Sequence, residues 1–443
     1  MGHFHASTFD RSAGWRSFRG LLGRGAAVLL FSCASVAFAA AGERAANVIL
    51  FIGDGMGMEH VKAARYFNGA PLCFENFPHF ATVDTDCLDG LTDSAAGATA
   101  IATGTRVAYY TYGDRSSNQR LTVLEYFQGK GKRTGLVTTD YMTAATPAAF
   151  ATHAYERNDS DQVALDYLVA IKPNVLLGGG GNSLTAEDAA AAGFAVVTNF
   201  DGLAAVDPAA TDYLSGQFGE GQMPYEYDGI GDFPRLSEMT SVALSILERE
   251  PTGFFLMVES ARVDHAAHGN DLARMIPEAL EFAAAVQAAL DWATNRNDTL
   301  ILVTADHETG GLSVTSDQGA GNEPGVEWTT GGHTQTPVGC WAWGPGSERV
   351  GGAMANTNTY HVLQDASLLQ TFGLGVQTDE DGHLALIWAA AAGDAFRVEY
   401  SDILDPADWQ PLGVATAATE SVSIVDTNDW PQAQRFYRAV ALP

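Results

Sequence analysis

The stretch Phe254–Asn270, FFLMVESARVDHAAHGN, decides how this chain folds. Its apolar run FFLMV predicts a buried β-strand, and the alanine-containing sequence after it predicts a helix. Asp264 and His268 are four residues apart, so they share one helix face and suit a common metal ion. Glu259 ends the apolar run, at the point where ligands collect in open α/β sheets. Alone, the stretch is equally consistent with a solvated helix face that has a carboxylate near its start.

Three further apolar runs end in the same way, with groups able to hold a metal ion or a phosphate. Each case alone is consistent with capping or turn chemistry, but four coincident cases favour one shared site where parallel strands end. The runs and the polar residues after them are Asn47–Ile52 with Asp54, Leu300–Thr304 with Asp306 and His307, and Gly135–Thr139 with Thr146 and Arg157.

A serine at the start of a small-residue run is the candidate nucleophile. Ser94 lies in Thr92–Ala100, TDSAAGATA, whose alanines predict a helix that begins near the serine. The positive end of a helix dipole stabilises both an alkoxide and a bound phosphate. The simpler interpretation is that Asp93 or Ser94 only caps the helix. His333, in the glycine-rich turn WTTGGHT, is a further candidate metal ligand, although such a turn can be a plain loop.

Six motifs, in this order along the chain, resemble the alkaline phosphatase family: IGDGMG, TDSAAGATA, ATPAAF followed by Arg157, VESARVDHAAH, TADHETGG and TGGHT. The resemblance extends from about Asn47 to Phe372. It implies an α/β fold, a three-layer sandwich around a central and mostly parallel sheet. It also implies hydrolysis of small phosphate monoesters through a phosphoserine intermediate. A phosphodiesterase or a sulfatase of the same superfamily is the alternative, and a noncatalytic surface-binding protein is the alternative from another class.

The resemblance also implies a role for each candidate residue. Ser94 is the nucleophile and also a metal ligand, Arg157 binds the phosphate, and Asp93 orients Arg157. Two zinc ions and one magnesium ion are implied, and the donor types suit these metals. The zinc ligands are Asp264, His268 and His333 at one ion and Asp54, Asp306 and His307 at the other, and the magnesium ligands are Asp54, Thr146 and Glu259.

The chain departs from the family pattern beside the magnesium site. Two positions before Thr146, where family members carry Asp or His, the chain has Ala144. His265 occupies the position after Asp264. Because the partners of metal ligands orient those ligands, we expect a weaker third ion than in relatives with a carboxylate or an imidazole at position 144.

The two ends of the chain differ in composition from its middle. Four arginines precede the apolar stretch Ala26–Phe38 and an Ala-Phe-Ala site, so residues 1–40 are predicted to be a cleaved signal peptide and the protein secreted or periplasmic. A retained anchor or lipidation of Cys33 is the alternative, and no other stretch suits a membrane span. We expect a catalytic domain over 45–372, a linker over 373–382 and a small all-β domain over 383–443. This last segment alternates in the manner of strands and resembles the β-sandwich modules of secreted bacterial enzymes.

The acidic balance of the chain limits its partners. Removing residues 1–40, with four arginines and one aspartate, changes the formal net charge from −29 to −32. Such a charge repels nucleic acids and anionic membranes, so no nucleic-acid binding is expected. The family resemblance is compatible with a homodimer.

Three cysteines follow residue 40. Cys73 and Cys87 flank a short segment before Ser94, and an oxidising compartment favours a disulfide between them. Cys340 lies within an apolar run and is predicted to be a buried free thiol.

Overall fold

A computed structural model describes residues 45–112, 121–367, 375–378, 384–390, 395–401, 410–418, 421–427 and 436–441. The predicted signal peptide, residues 1–40, lies outside these ranges. Helices and strands alternate through most of 45–367, and only strands occur in the later ranges. None of the helices in the described ranges combines the length and the apolar character that crossing a membrane requires.

Strands supply the centre of the molecule. The described strands are β1 (Asn47–Gly53), β2 (His79–Asp84), β3 (Arg133–Tyr141), β4 (Val175–Gly179), β5 (Ala195–Val197), β6 (Leu214–Gln217), β7 (Phe254–Ser260), β8 (Thr299–Thr304), β9 (Glu308–Thr309), β10 (Leu312–Ser316), β11 (Gly325–Trp328), β12 (His333–Thr334), β13 (Val338–Trp343), β14 (Gly352–Ala355), β15 (Gly375–Thr378), β16 (Leu384–Ala389), β17 (Ala395–Ser401), β18 (Gln410–Thr416), β19 (Ser421–Asp426) and β20 (Phe436–Ala441).

Helices connect most of these strands. The described helices are α1 (Met58–Asn68), α2 (Ser94–Thr103), α3 (Val123–Gly129), α4 (Ala145–Ala151), α5 (Ser160–Leu165), α6 (Ala186–Ala191), α7 (Phe200–Ala204), α8 (Leu236–Leu247), α9 (Arg262–His268), α10 (Leu272–Ala293) and α11 (Asn356–Ser367), with 3₁₀ turns at Cys73–Asn76, Glu226–Asp228 and Ser347–Arg349 and a π-helical turn at Asp166–Ala170.

Ten strands form one sheet in the order β14-β2-β13-β8-β1-β7-β3-β4-β6-β5. Strand β13 pairs antiparallel with β2 and β8, and the other neighbours pair parallel. The central strands β1, β7 and β8 are buried along their whole length, as apolar strands covered on both faces must be. The mostly parallel central sheet is therefore confirmed.

Helices cover both faces of this sheet. Helix α10 contacts α1 and α8, and it also contacts β1, β7 and β8. Helices α2, α3, α4 and α11 form a second contacting group, of which α3 and α4 also reach β7. Because both groups pack on β7 without joining each other, they lie on opposite sides. This arrangement is the predicted three-layer sandwich.

The later residues form two antiparallel three-stranded sheets, β15-β16-β19 and β18-β17-β20. Their apolar side chains share one core, in which the rings of Trp388 and Phe396 meet edge to face with centroids 5.4 Å apart. The predicted all-β region is therefore present. The predicted linker 373–382 needs correction, because Gly375–Thr378 within it is strand β15 and pairs with β16.

The predicted disulfide between Cys73 and Cys87 is wrong, since both cysteines are free thiols. Strand β2 lies between them in the chain, and each thiol has a hydrogen-bond partner of its own. The Cys73 thiol donates to the carbonyl oxygen of Ala283, and the Cys87 thiol donates to that of Leu91. Cys340 is a buried free thiol as predicted, and burial raises its pKa to about 12.

Candidate active site

The carboxyl ends of neighbouring central strands bring the candidate residues to one edge of the sheet. Ile52 of β1 pairs with Glu259 of β7 and with Thr304 of β8, so these three strands end at one level. Asp54 follows β1 directly, and Asp306 follows β8 after one residue. The convergence expected from the four apolar runs is therefore present.

Asp264, His268 and His333 form the first cluster of donor atoms. Asp264 and His268 lie one turn apart on α9, with Asp264 Oδ2 3.3 Å from His268 Nε2. His333 begins β12, and its Nε2 lies 3.1 Å from His268 Nε2 and 3.8 Å from Asp264 Oδ1. The three residues can present one ligand atom each within 4.8 Å of one another.

Backbone carbonyl groups fix the orientation of both histidines in this first cluster. The Nδ1 atom of His268 lies 2.7 Å from the Gly331 carbonyl oxygen, and the Nδ1 atom of His333 lies 2.8 Å from that of Thr92. A carbonyl oxygen only accepts, so each Nδ1 is the donor and each Nε2 faces the cluster. Such outer hydrogen bonds are characteristic of histidines that bind metals.

Asp264 and His268 in the first cluster each shift the pKa of the other towards its charged form. The hydrogen bond with Asp264 raises the pKa of His268 to about 9. Burial alone would raise the pKa of Asp264, but contacts with His268 and the nearby His307 and His333 outweigh burial and lower that pKa. The carboxylate is therefore ionised and favours a cation beside it.

Asp54, Asp306 and His307 form the second cluster, and Ser94 lies against it. The Nε2 atom of His307 is 3.4 Å from Asp54 Oδ1, 3.3 Å from Asp306 Oδ2 and 3.3 Å from Ser94 Oγ. A tetrahedral ion about 2.0 Å from each ligand would separate its ligand atoms by about 3.3 Å. The three distances from His307 Nε2 therefore match the separation expected between ligands of one such ion.

Burial without hydrogen-bond partners also makes the second cluster a candidate cation site. Oδ1 of Asp54 and Oδ2 of Asp306 are fully buried and accept no hydrogen bond. Burial raises the pKa of Asp54 well above its ordinary value and that of Asp306 to about 7, and it lowers the pKa of His307 far below its usual value. Buried carboxylates without partners are costly, so a cation there would stabilise them.

Ser94 begins helix α2 and is buried. Asp93 caps this helix, because its carboxylate accepts hydrogen bonds from the N–H groups of Ala95 and Ala96. Asp93 is therefore the cap, as the simpler interpretation has it, while the Ser94 hydroxyl faces His307 rather than its own helix.

Asp93 also joins the helix to Arg157. The guanidinium NH1 of Arg157 donates to Asp93 Oδ2 across 2.7 Å, and the backbone N–H of Tyr110 donates to Asp93 Oδ1 across 2.9 Å. The Arg157 guanidinium lies 5.1 Å from the centre of the Tyr110 ring. The expectation that Asp93 orients Arg157 is thus supported by a direct hydrogen bond between the two side chains.

The residues expected to hold magnesium lie at three strand or helix ends. Glu259 is the penultimate residue of β7, Thr146 lies in the first turn of α4, and the Thr146 Oγ1 atom is buried without a hydrogen-bond partner. The Thr138 hydroxyl donates to Glu259 Oε2 across 2.5 Å, and burial raises the pKa of Glu259 to about 8. Ala144 is the N-cap residue of α4, and its methyl side chain makes no capping hydrogen bond.

Three residues in these contacts were not identified from the sequence. Thr309 donates from Oγ1 to Asp264 Oδ1 across 2.5 Å, and the same hydroxyl lies 3.3 Å from His307 Nδ1, so it links the two clusters. Tyr110 contacts Arg157, and Asp140 follows Thr138 on β3. The only sequence signal was the position of Thr309 two residues after His307 on an extended segment.

The fold and the clusters define an α/β protein with candidate metal sites at the ends of its central strands. The alkaline phosphatase family model matches residues 45–327. Alkaline phosphatase 3 of Bacillus subtilis (strain 168) is 36% identical over 293 residues, which are 61% of this chain and 63% of that protein. The alkaline phosphatase of Escherichia fergusonii is 30% identical over 410 residues, which are 74% of this chain and 86% of that protein.

Solved structures agree with these sequence matches. A variant of the TAB5 alkaline phosphatase, with magnesium bound in its M3 site, is 27% identical with a TM-score of 0.66, and the match covers 74% of this chain and 99% of that chain. The chain therefore belongs to the alkaline phosphatase family. Its matches span less than two thirds of the length of the first curated relatives.

Proposed function

We propose that this protein is a metal-dependent phosphomonoesterase that hydrolyses small phosphate monoesters through a phosphoserine at Ser94. The observation that carries the proposal is the position of the Ser94 hydroxyl, at the start of α2 and 3.3 Å from His307 within the second cluster. Membership of the alkaline phosphatase family supports the same reaction.

The donor sets fit two zinc ions and one magnesium ion. Asp264, His268 and His333 would hold one zinc, and Asp54, Asp306, His307 and the Ser94 hydroxyl would hold the other. Asp54, Thr146 and Glu259 supply hard oxygen donors of the kind that magnesium prefers. Magnesium in the M3 site of the TAB5 variant supports this third assignment. When bound, the zinc ions would supply positive charge that lowers the pKa of the serine hydroxyl and stabilises the transferring phosphoryl group.

Ser94 performs the bond exchange in this proposal. Its Oγ loses its proton to solvent and forms a bond to phosphorus as the bond from phosphorus to the leaving oxygen breaks, and that oxygen takes a proton from solvent to leave as the alcohol. Water then displaces the serine and releases inorganic phosphate, which restores the free hydroxyl. The N-terminus of α2 stabilises negative charge in both steps.

Arg157 binds the phosphate in this proposal. Its planar guanidinium can donate two parallel hydrogen bonds to phosphate oxygens, while NH1 also meets Asp93. The Arg157 side chain remains about a quarter exposed, at 28%, so it can reach a substrate that enters from solvent.

We also propose that the mature protein begins near Ala40 and is exported to the periplasm or the medium. The order of basic residues, apolar run and Ala-Phe-Ala site supports this. Mass spectrometry of the native N-terminus tests it, and intact residues 1–39 on cytoplasmic protein would exclude it.

Metal analysis of purified protein, combined with turnover of matched aryl substrates, tests the proposed function. We expect two zinc ions and one magnesium ion per chain, with an aryl phosphate hydrolysed much faster than the corresponding phosphodiester or sulfate. Preference for the diester or the sulfate would identify one of the superfamily alternatives. Absence of turnover for all three by metal-replete protein would favour a noncatalytic binding protein.

A further inference from the structure

A buried carboxylate on β3 lies two residues after Thr138, whose hydroxyl contacts the proposed magnesium ligand Glu259, and it has no part in the function described so far. Asp140 is only 8% exposed. Its Oδ1 accepts the N–H of Tyr141 across 2.8 Å, and its Oδ2 lies 3.8 Å from Nε2 of His265. Asp140 is six residues before Thr146, whereas the family's expected Asp or His position, two residues before Thr146, is Ala144 here.

Asp140 is linked to Glu259 through Thr138. The backbone N–H of Asp140 donates to Thr138 Oγ1 across 2.9 Å. The same Thr138 hydroxyl donates its hydrogen to Glu259 Oε2, so the backbone of Asp140 and the side chain of Glu259 share one partner. The charge of Asp140 also contributes to the raised pKa of Glu259, which agrees with the two carboxylates being close.

The backbone of β3 is shaped to bring Asp140 to this position. Its pairing with β4 shifts register between Val137 and Tyr141, and irregularities of this kind, such as β-bulges, redirect side chains near active sites. Gly178 of β4 leaves the necessary room, because a Cβ there would lie 2.7 Å from Thr138 Cγ2 and 3.0 Å from the Asp140 carbonyl oxygen.

We propose that Asp140 is the positioning carboxylate of the divalent-cation site formed by Asp54, Thr146 and Glu259, in place of the acidic side chain that Ala144 cannot supply. This inference rests on the proposed function for the assignment of that site, and it replaces the expectation, drawn from Ala144 alone, that the third ion is bound weakly. Asp140 adds negative charge near the cation and accepts a hydrogen bond from a water bound to it. The imidazole of His265 lies 3.8 Å from the other oxygen of this carboxylate, Oδ2.

The buried atoms around the site fit a cation. Oγ1 of Thr146 and Oδ1 of Asp54 are buried without hydrogen-bond partners. A hard divalent ion such as magnesium takes carboxylate and hydroxyl oxygens as ligands and keeps several waters, which outer carboxylates then orient. Loss of such an outer partner typically weakens metal binding by about 10 to 100-fold.

A double-mutant cycle between positions 140 and 144 tests the proposal. Magnesium chloride is titrated calorimetrically into zinc-loaded wild type, Asp140→Asn, Ala144→Asp and the double variant. We expect Asp140→Asn to weaken magnesium binding by about 10 to 100-fold with zinc content unchanged. Adding Ala144→Asp to Asp140→Asn should raise magnesium affinity by at least about tenfold. The same substitution in wild type should raise magnesium affinity by less than about threefold. Glu278→Gln, which alters another buried carboxylate, is the control and should leave magnesium affinity unchanged.

Two results would overturn the proposal: unchanged magnesium affinity in Asp140→Asn, or no recovery in the double variant. If Asp140→Asn does not fold, Ala144→Asp alone is the test. A rise of tenfold or more in its magnesium affinity would overturn the proposal, because wild type would then have lacked the negative charge that Asp140 is proposed to supply. The titration involves no turnover. If magnesium affinity depends on Asp140 but the protein hydrolyses no phosphate ester, this inference stands and the phosphatase function is rejected.

Discussion

The Asp93 carboxylate holds Arg157 and the start of helix α2 in one fixed relationship. Oδ2 accepts a hydrogen bond from Arg157 NH1 at 2.7 Å, while the same carboxylate caps the helix that begins with Ser94. The proposed nucleophile and the proposed phosphate-binding group therefore cannot move independently. Preorganisation of this kind is more valuable to catalysis than either contact is to stability.

Asp93→Asn should separate capping from the positioning of Arg157. Asparagine caps helices about as well as aspartate, so the free energy of unfolding should change by less than about 1 kcal/mol. Loss of the charge partner should lower kcat/KM for an aryl phosphate by at least about tenfold, since charge-assisted bonds are about twice as strong as neutral ones. Steady-state kinetics and urea unfolding measure the two effects.

Asp159→Asn is the matched control for this variant. Asp159 caps helix α5 by accepting the N–H of Gln162, so the substitution makes the same chemical change at another N-cap. It should leave kcat/KM near the wild-type value. Equal kinetic losses in the two variants would mean that the Asp93 contact with Arg157 has no special role.

Thr309→Val should weaken metal binding without removing a ligand. The Thr309 hydroxyl donates to Asp264 Oδ1 and also lies close to His307, so valine leaves one carboxylate oxygen without its partner. Outer-partner losses typically reduce metal affinity by about 10 to 100-fold. Competition with a chromogenic zinc chelator measures this change.

Thr240→Val provides the corresponding control. Thr240 is a buried threonine whose hydroxyl donates to the Leu236 carbonyl oxygen within helix α8. Its replacement should lower stability slightly and leave zinc affinity unchanged. Wild-type zinc affinity in Thr309→Val would contradict the proposed link between the two clusters.

The sequence predicted those features that depend on neighbouring residues along the chain. Apolar runs gave β1, β7 and β8, and a spacing of four placed Asp264 and His268 on one helix face. The helix start at Ser94 followed from its alanines and from Asp93. These patterns are local, and the family motifs then joined them into one expected site.

The features that the sequence did not predict depend on contacts between distant segments. Strand β15 is short and mixed in polarity, and only its pairing with β16 makes it a strand. The Cys73 thiol is not paired with Cys87 but meets the carbonyl oxygen of Ala283, which is 210 residues away along the chain. Asp140 lies where the pairing of β3 with β4 shifts register, which no periodic pattern in the sequence indicates.

Glu278→Gln should change how stability depends on pH. Glu278 on α10 is 2% exposed and accepts the N–H of Glu226, and burial raises its pKa from 4.5 to about 8. A carboxyl whose pKa is raised by folding favours the native state while it stays protonated. Its contribution is fully present below the unfolded pKa near 4.5 and is lost as pH rises towards 8.

The free energy of unfolding of Glu278→Gln should therefore rise relative to that of wild type as pH rises. Glutamine remains neutral, so the stability of Glu278→Gln relative to wild type should improve between pH 5 and pH 8 and then level off. For one titrating group, the difference in unfolding free energy between the two proteins cannot change by more than about 1.4 kcal/mol per pH unit. Urea unfolding at constant zinc and magnesium measures it, and an equal difference between the two proteins at pH 5 and pH 9 would contradict the prediction.

Ser94→Ala and Arg157→Ala should fail in different ways. Ser94→Ala removes the group that forms the covalent intermediate, so kcat should fall by several decades. Zinc should stay bound, since the Asp and His donors remain. Arg157→Ala keeps the nucleophile but loses donors to the transferring phosphoryl group, which should cost about 2 to 4 kcal/mol in kcat/KM. Inhibition by inorganic phosphate should weaken in the Arg157 variant.

Acid-quench trapping with labelled phosphate monoester separates these two roles. Wild type should carry label on Ser94, Arg157→Ala should carry it at a lower level, and Ser94→Ala should carry none. Ser215→Ala, which removes a buried serine hydroxyl from β6, is the control and should label like wild type. Label on a residue other than Ser94, or full activity in Ser94→Ala, would overturn the mechanism, because the bond to phosphorus would then form elsewhere.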